Sequence, residues 1–232
     1  MKTLAFIPAR GGSETIPLKN LHKLGEKPLL QWSLDVVRQS ILIDDIVCST
    51  DHFEIRNLCT REGIQTTDRP SNLSNGKSYP IHEVVIEYIN RLEVDPHIVV
   101  LIQPTSPFLT LTHLNATIAK LKDNHNLMSV QTICPVPHNY HAWNQRSWDR
   151  ESGKVKWCFP DMRKIGYNKQ SKPEMWKFGN IVATRVDALR QEGCFAEPSF
   201  GIPIGPFEAF DVDNEEDFLI AERLLINREF DY

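Results

Sequence analysis

Apolar positions along the chain fall into blocks of two kinds. Leu4 to Ile7, Ile46-Val47-Cys48 and Ile98 to Ile102 are short continuous runs, the pattern of parallel strands buried on both faces. Between them the apolar spacing becomes helical. Leu29, Leu30, Trp32, Leu34, Val36 and Val37 form one broad face behind Pro28, which suits a first helical position. Asp51 and Glu54 have capping-box spacing, with Asp51 as cap, for a helix to about Arg61 that Gly63 ends. Pro80 opens another helix, with Val84, Val85, Tyr88, Ile89 and Leu92 expected inward. Ile64 to Thr67 reads as a short strand, Leu111 to Leu121 as a helix and Met128 to Ile133 as a strand. This alternation predicts an α/β domain with a parallel sheet and helices on both faces.

From Pro135 to Pro173 the periodicity fades. Tyr140, Trp143, Trp148, Trp157 and Phe159 are interleaved with charges, and Ser152-Gly153 predicts a hairpin turn. The segment reads as a β-rich excursion whose aromatic content suits a subunit interface. Strand and helix then return at Asn180 to Thr184 and Val186 to Gln191. Phe207 to Asp213 reads as a strand edge, and Asn214 as the cap of a last helix to about Asn227, with Phe218, Ala221, Leu224 and Leu225 inward. No linker divides the chain, so a single domain over residues 1–232 is expected.

Composition narrows the function classes. The 232 residues carry a net charge of −4 with no basic block, so no nucleic-acid partner is expected. No apolar run approaches membrane-spanning length and Met1 to Pro8 is too short for a signal peptide, so no membrane association is expected. The five cysteines are scattered without a C-x-x-C pair, which points to reduced thiols in a cytoplasmic protein and away from zinc.

The candidate chemistry sits in three stretches. The first is the loop Ile7-Pro8-Ala9-Arg10-Gly11-Gly12-Ser13-Glu14-Thr15-Ile16-Pro17-Leu18-Lys19-Asn20. Strand, glycine-rich loop and helix is a layout in which backbone N–H groups close around phosphate oxygens. Arg10 and Lys19 add positive charge there, and Ser13 and Asn20 add neutral hydrogen-bonding groups. The second is Gln103-Pro104-Thr105-Ser106-Pro107, a loop at the C-terminal end of a buried strand, the edge where open α/β sheets bind ligands. The third is Asp211-Val212-Asp213. An extended backbone puts both carboxylates on one side. With no evident internal cation, they suit a hard divalent ion such as magnesium shared with substrate phosphates.

Read together, Ala9-Arg10-Gly11-Gly12-Ser13 with Ile16-Pro17-Leu18-Lys19-Asn20 resembles the signature loop of the acylneuraminate cytidylyltransferases (CMP-sialic acid synthetases). Ser49-Thr50-Asp51, Arg69-Pro70 with Leu73-Ser74, Leu101 to Pro107 and Asp211 to Asp217 agree in order. The likeness spans nearly the whole chain apart from much of 138–176. It implies a Rossmann-like, mostly parallel sheet with a protruding dimerisation segment at about 138–176, and hence a homodimer. It implies CMP transfer from CTP to a 2-keto sugar acid of sialic, legionaminic or pseudaminic type, with magnesium as cofactor and pyrophosphate as co-product. By position, Ala9, Arg10, Gly11, Gly12, Ser13, Lys19, Asn20, Arg69 and Ser74 would hold the nucleotide. Gln103, Thr105, Ser106 and Asn180 would meet the acceptor, and Asp211 and Asp213 the metal. Arg10, Lys19 and Asp211 would carry catalysis, the general base being Asp211 or a metal-bound hydroxide.

The chain departs from the family pattern at three places. Glu14 stands where the family has lysine. The family's asparagine-glycine-alanine strand appears as Phe178-Gly179-Asn180-Ile181. The cations for the sugar carboxylate have only candidates: His138, His141, Arg163, Lys164, Lys169 and Lys172. Two alternatives therefore stay open: a related nucleotidyltransferase with a sugar phosphate or phosphonate acceptor, and a nucleotide-binding homologue with impaired catalysis, with Glu14 as the reason.

Overall fold

A computed structural model describes residues 1–13, 15–69, 80–166 and 168–228. The chain alternates between strands and helices. Strand β1 (Thr3–Pro8) leads through the first loop to a two-stranded hairpin, β2 (Lys23–Leu24) and β3 (Lys27–Pro28), and then to α1 (Leu29–Val37). There follow β4 (Asp45–Thr50), α2 (Phe53–Arg61), β5 (Gln65–Asp68), α3 (Ile81–Arg91), β6 (Ile98–Ile102), α4 (Leu111–Asp123) and β7 (Ser129–Pro135). The excursion carries the hairpin β8 (Arg146–Trp148) and β9 (Val155–Trp157) and the short helix α5 (Pro160–Ile165). The chain closes with β10 (Trp176–Arg185), α6 (Val186–Glu192), β11 (Ser199–Pro203) and α7 (Glu215–Arg228).

Seven strands form one sheet in the order β11-β7-β10-β6-β1-β4-β5. β10 pairs antiparallel with both β6 and β7, while the other pairings are parallel. The expected mostly parallel sheet is present. The side chains of β1 alternate between its faces. Ala5 and Ile7 join one core with Leu30 and Leu34 of α1 and Leu114 and Ile118 of α4. Leu4 and Phe6 join another with Val84, Val85 and Tyr88 of α3. Helices therefore cover both faces, as the alternation predicts.

The chain leaves β1 for β4 on one side and later returns for β6 on the other. The C-terminal ends of β1 and β6 thus meet at a switch point, where a crevice opens in folds of this kind. A third cluster secures one wall of it. Phe108, Leu24, Leu29, Val212 and Ala221 are buried together, with Trp32, Phe207 and Phe218 packed on them. This cluster fastens α7 beside the loop after β6 and pins Val212 between its two aspartates.

Several expected details differ. His52, not Asp51, caps α2, its Nδ1 accepting the Glu54 amide at 3.3 Å. Asp51 is engaged with the first loop instead. Leu92 lies past the end of α3, as its C-cap residue, and is exposed. Residues 207–213 form a turn and an irregular segment rather than a strand; the edge position beside β7 is taken by β11, which the sequence pattern does not announce. The hairpin turn at Ser152-Gly153 is present, with Gly153 at φ +67°. Asn214 caps α7, its Oδ1 accepting the Asp217 amide at 3.0 Å while Asp217 Oδ2 accepts the Asn214 amide at 3.0 Å. No helix among the described residues is long and apolar enough to cross a membrane.

Candidate active site

The first loop leaves the sheet by extending it. The Ala9 amide donates to the Ser49 carbonyl at 2.9 Å, so the buried Ala9 serves as one more rung between β1 and β4. The Gly11 amide then donates to Asp51 Oδ1 at 2.7 Å. Asn20 closes the loop from behind, its Nδ2 donating to the Arg10 carbonyl at 3.2 Å. The Asn20 Oδ1 is buried without a hydrogen-bond partner among the described residues. A buried acceptor left open beside a cleft favours a ligand that brings a donor.

The loop frames a cleft of about 430 Å³ lined by Pro8, Arg10, Ser13, Lys19, Asn20, Arg69, Ile81, Leu101, Gln103, Pro104 and Thr105. Six of the residues singled out from sequence for nucleotide or acceptor binding therefore share one wall system with Lys19: Arg10, Ser13, Asn20, Arg69, Gln103 and Thr105. Burial pulls the Arg69 guanidinium below its ordinary range; the Asp51 charge opposes this and the Arg10 charge adds to it. Two arginines facing one cleft suit a polyanion. Gln103 is fixed through its main chain: its amide donates to the Asn180 carbonyl at 3.3 Å, and its carbonyl accepts the Ser33 hydroxyl at 3.3 Å. Its side-chain amide is left for the cleft.

The loop after β6 also grips the acidic segment. Thr105 Oγ1 donates to Asp211 Oδ1 at 2.5 Å, Ser106 Oγ donates to the same oxygen at 3.3 Å, and the Val212 amide donates to the Thr105 carbonyl at 2.9 Å. Burial pushes the Asp211 carboxyl above its ordinary value; the Thr105 hydrogen bond opposes this and the Asp213 charge adds to it. The expectation that the carboxylate pair lacks an internal cation is corrected, because Lys19 Nζ lies 3.2 Å from Asp213 Oδ1. Magnesium still fits these residues. Both carboxylates flank the buried Val212, and among the described residues the side-chain hydrogen bonds of each fall on its Oδ1. Among the described residues no group of three or more His, Cys, Asp or Glu side chains is arranged to hold a metal, so phosphate oxygens would complete the coordination of a small hard ion.

The remaining sequence-derived residues lie elsewhere. Ser106 and Asn180 are 0% and 1% exposed. Ser106 is engaged with Asp211. Asn180 donates to the Glu208 carbonyl at 2.6 Å and accepts from Thr132 Oγ1 at 3.1 Å. Both are buried, hydrogen-bonded to their neighbours and not among the residues that line the cleft. Gly12 is exposed, with none of the described residues within 4 Å of where its Cβ would lie. Ser74 and Glu14 lie outside the described residues. Two residues passed over by the sequence reading belong to the site. Thr15 Oγ1 donates to the Asp213 carbonyl at 2.5 Å, and Ile81 lines the cleft from the start of α3. A threonine inside a glycine-rich loop is a weak signal for such a tie, and Ile81 reads from sequence as an ordinary core position.

The chain has relatives among known proteins. A family profile described as cytidylyltransferase matches residues 4–153. The chain is 29% identical to the CMP-N,N'-diacetyllegionaminic acid synthase of Legionella pneumophila, covering 99% of each chain. It is 28% identical to an N-acylneuraminate cytidylyltransferase of Escherichia coli, covering 95% of this chain but 51% of that protein. The chain thus spans about half the length of that relative. Among solved structures, CMP:2-keto-3-deoxy-manno-octonic acid synthetase complexed with CTP superposes with a TM-score of 0.74 at 15% identity, covering 98% of this chain and 100% of that one. The 4-diphosphocytidyl-2C-methyl-D-erythritol synthase of Anaerococcus prevotii superposes at 0.63, also at 15% identity, covering 97% and 96%. At that identity the two structures share the fold alone.

Proposed function

The chain belongs to the cytidylyltransferase family, and we propose that it transfers CMP from CTP to a 2-keto sugar acid of the sialic, legionaminic or pseudaminic type, releasing pyrophosphate. The observation that carries this reading is the cleft itself. Arg10, Lys19 and Arg69 face it from the side of the first loop and β5, and the Gln103 amide faces it from the loop after β6.

In this reading the triphosphate lies along the first loop, where Arg10, Lys19 and the backbone of residues 11–13 offset its charge. An acceptor hydroxyl attacks the α-phosphorus. A new P–O bond forms, the bond to the β-phosphate oxygen breaks, and pyrophosphate leaves with that electron pair. The hydroxyl proton passes to a base, for which Asp211 is the candidate, oriented by Thr105 and Ser106. Magnesium held by Asp211 and Asp213 would supply further neutralisation of phosphate charge. Gln103 orients the acceptor. No side-chain nucleophile is needed, because charge neutralisation and in-line placement suffice.

The excursion supports a homodimer. Residues 138–176 carry eight Lys and Arg against four Asp and Glu, a net +4 on a chain whose remainder is −8. Trp148, Val155 and Ile165 stand exposed on it. A cationic, aromatic lobe is complementary to the acidic body of a second copy. Light scattering at micromolar concentration tests this; a monomer there rejects it. Five thiols, four of them buried, suit the cytoplasm.

Pyrophosphate release decides the activity. The assay runs CTP, UTP, ATP and GTP against sialic, legionaminic and pseudaminic acids, sugar phosphates and phosphonates, with magnesium. Turnover is expected with CTP and one of the sugar acids. Turnover only with a sugar phosphate or phosphonate replaces the acceptor assignment. CTP binding without turnover on any acceptor makes the chain a nucleotide-binding homologue, and preference for a purine nucleotide removes the cytidylyl assignment.

A further inference from the structure

The two acidic residues of the third stretch are not bare. Lys19 Nζ donates to Asp213 Oδ1 at 3.2 Å and to the Val212 carbonyl at 2.7 Å. The same lysine lines the cleft beside Arg10 and Ser13. Its side chain is 12% exposed, against 74% for that of Asp213. The ammonium is thus held within the wall, while the carboxylate that receives it is open to solvent. Thr15, through its bond to the Asp213 carbonyl at 2.5 Å, ties the same two loops a second time. The first loop and the acidic loop are therefore fastened by one cation that both a phosphate and a carboxylate can claim.

We propose that Lys19 is the resident counter-ion of Asp213 in the ligand-free protein, and that it is exchanged on loading: a divalent cation takes over Asp213 while the ammonium passes to the phosphate oxygens. The inference rests on the cytidylyl-transfer reading, which lays the triphosphate along the first loop. An ammonium is a compact charge on a flexible stem, so its head can change partners while its stem stays packed. A divalent ion alone must compete with Lys19 for Asp213. Nucleotide alone must draw Lys19 away from Asp213. Each ligand removes the other's competitor, so the two bind cooperatively through this residue.

The test uses Mn2+ as the metal probe, followed by electron paramagnetic resonance, and CTP in EDTA followed by calorimetry. The proteins are the wild type, Lys19→Met, Asp213→Asn and the double variant. Without nucleotide, Lys19→Met is expected to bind Mn2+ about 3- to 10-fold tighter than wild type, within the lower part of the range for directly coupled neighbours. In EDTA, Asp213→Asn is expected to bind CTP more tightly. The cycle should show Lys19 contributing about 3- to 10-fold more to CTP affinity when Asp213 is absent. The cycle cancels the general repulsion between Asp213 and the triphosphate, and Asp213 is exposed enough for its variant to keep the fold. Mn2+ affinity that is unchanged or weaker in Lys19→Met, with an additive cycle, overturns the exchange and leaves the cytidylyl reading standing. A wild type that takes up no Mn2+ even with CTP bound overturns the metal assignment and the exchange together.

Discussion

Asp51 accepts the backbone amide of Gly11 at 2.7 Å, joining two residues forty positions apart. Asp51 follows the end of β4, and Gly11 lies three residues past the end of β1. Those strands are parallel neighbours, so their exits lie side by side at the sheet edge. The bond helps set the path of the glycine-rich first loop from outside it. Asp51 does not line the cleft, yet its charge also supports the Arg69 guanidinium that does.

Asp51→Ala should therefore weaken CTP binding without removing a group that touches the nucleotide. A charge-assisted hydrogen bond to a backbone amide contributes about 1–3 kcal/mol, and the exposure of Asp51 favours the lower end. The expected outcome is a KM for CTP raised about tenfold, with kcat changed less. Asp51→Asn keeps an acceptor oxygen and should recover much of the loss. A wild-type KM in the alanine variant, measured at saturating acceptor, would show that the loop holds its shape without this bond.

The two loop glycines should behave differently. A Cβ on Gly11 would lie 2.7 Å from the His52 Cβ and 2.9 Å from its ring, and His52 is held in place by capping α2. A Cβ on Gly12 meets nothing within 4 Å among the described residues. Gly11→Ala must push the loop away from α2, so its thermal midpoint should fall and CTP affinity should drop at least tenfold. Gly12→Ala should stay within about 0.5 kcal/mol of wild-type stability, as surface changes usually do. Equal melting of the two variants in calorimetry would contradict this assignment of the crowded side.

The sequence made the strands and helices legible wherever burial is two-sided or strictly periodic. Ile98 to Ile102 and the stripe Val84, Val85, Tyr88, Ile89 are of this kind, because each position is fixed by the sheet it meets. The glycine-rich loop was legible as a cleft-forming turn as well, since Arg10, Ser13, Lys19 and Asn20 after a strand do come to line one cleft. The ties across the site were not. Asp51 has the spacing of a helix cap, and local spacing carries no trace of Gly11 forty residues away. Lys19 and Asp213 are 194 positions apart, so the carboxylate pair looked uncompensated. Ser106 and Asn180 have the polarity of ligand-binding groups. Only the packing around Asp211 and Thr132 reveals that their hydrogen bonds are used internally. β11 escaped notice because Ser199, Gly201 and Pro203 dilute its apolar positions at an edge, where one row of hydrogen bonds goes unpaired.

Asp211 carries the sharpest conflict between stability and function. Burial raises its carboxyl above the ordinary 3.8, the Thr105 hydrogen bond only partly opposing this and Asp213 adding to it. The folded state thus holds this proton more tightly than the unfolded chain does. Between 3.8 and the raised value, the folded state binds more protons, so this residue's contribution to stability falls as pH rises. Above that window the ionised carboxylate works against folding in full. Asp211→Asn removes the charge but keeps an oxygen for Thr105 and Ser106. At pH 7.5 the variant should melt roughly 2–4 °C above wild type, the shift expected for about 1 kcal/mol in a chain of this size. As pH falls and wild-type Asp211 takes up its proton, the advantage should shrink. Turnover should meanwhile fall by about a hundredfold or more if, as proposed, Asp211 serves magnesium and the acceptor proton. Differential scanning calorimetry of both proteins from pH 4 to 8 reads the result. An asparagine variant that is less stable at pH 7.5, or one whose advantage does not vary with pH, would mean that Lys19 and the two hydroxyls more than offset the burial of this charge.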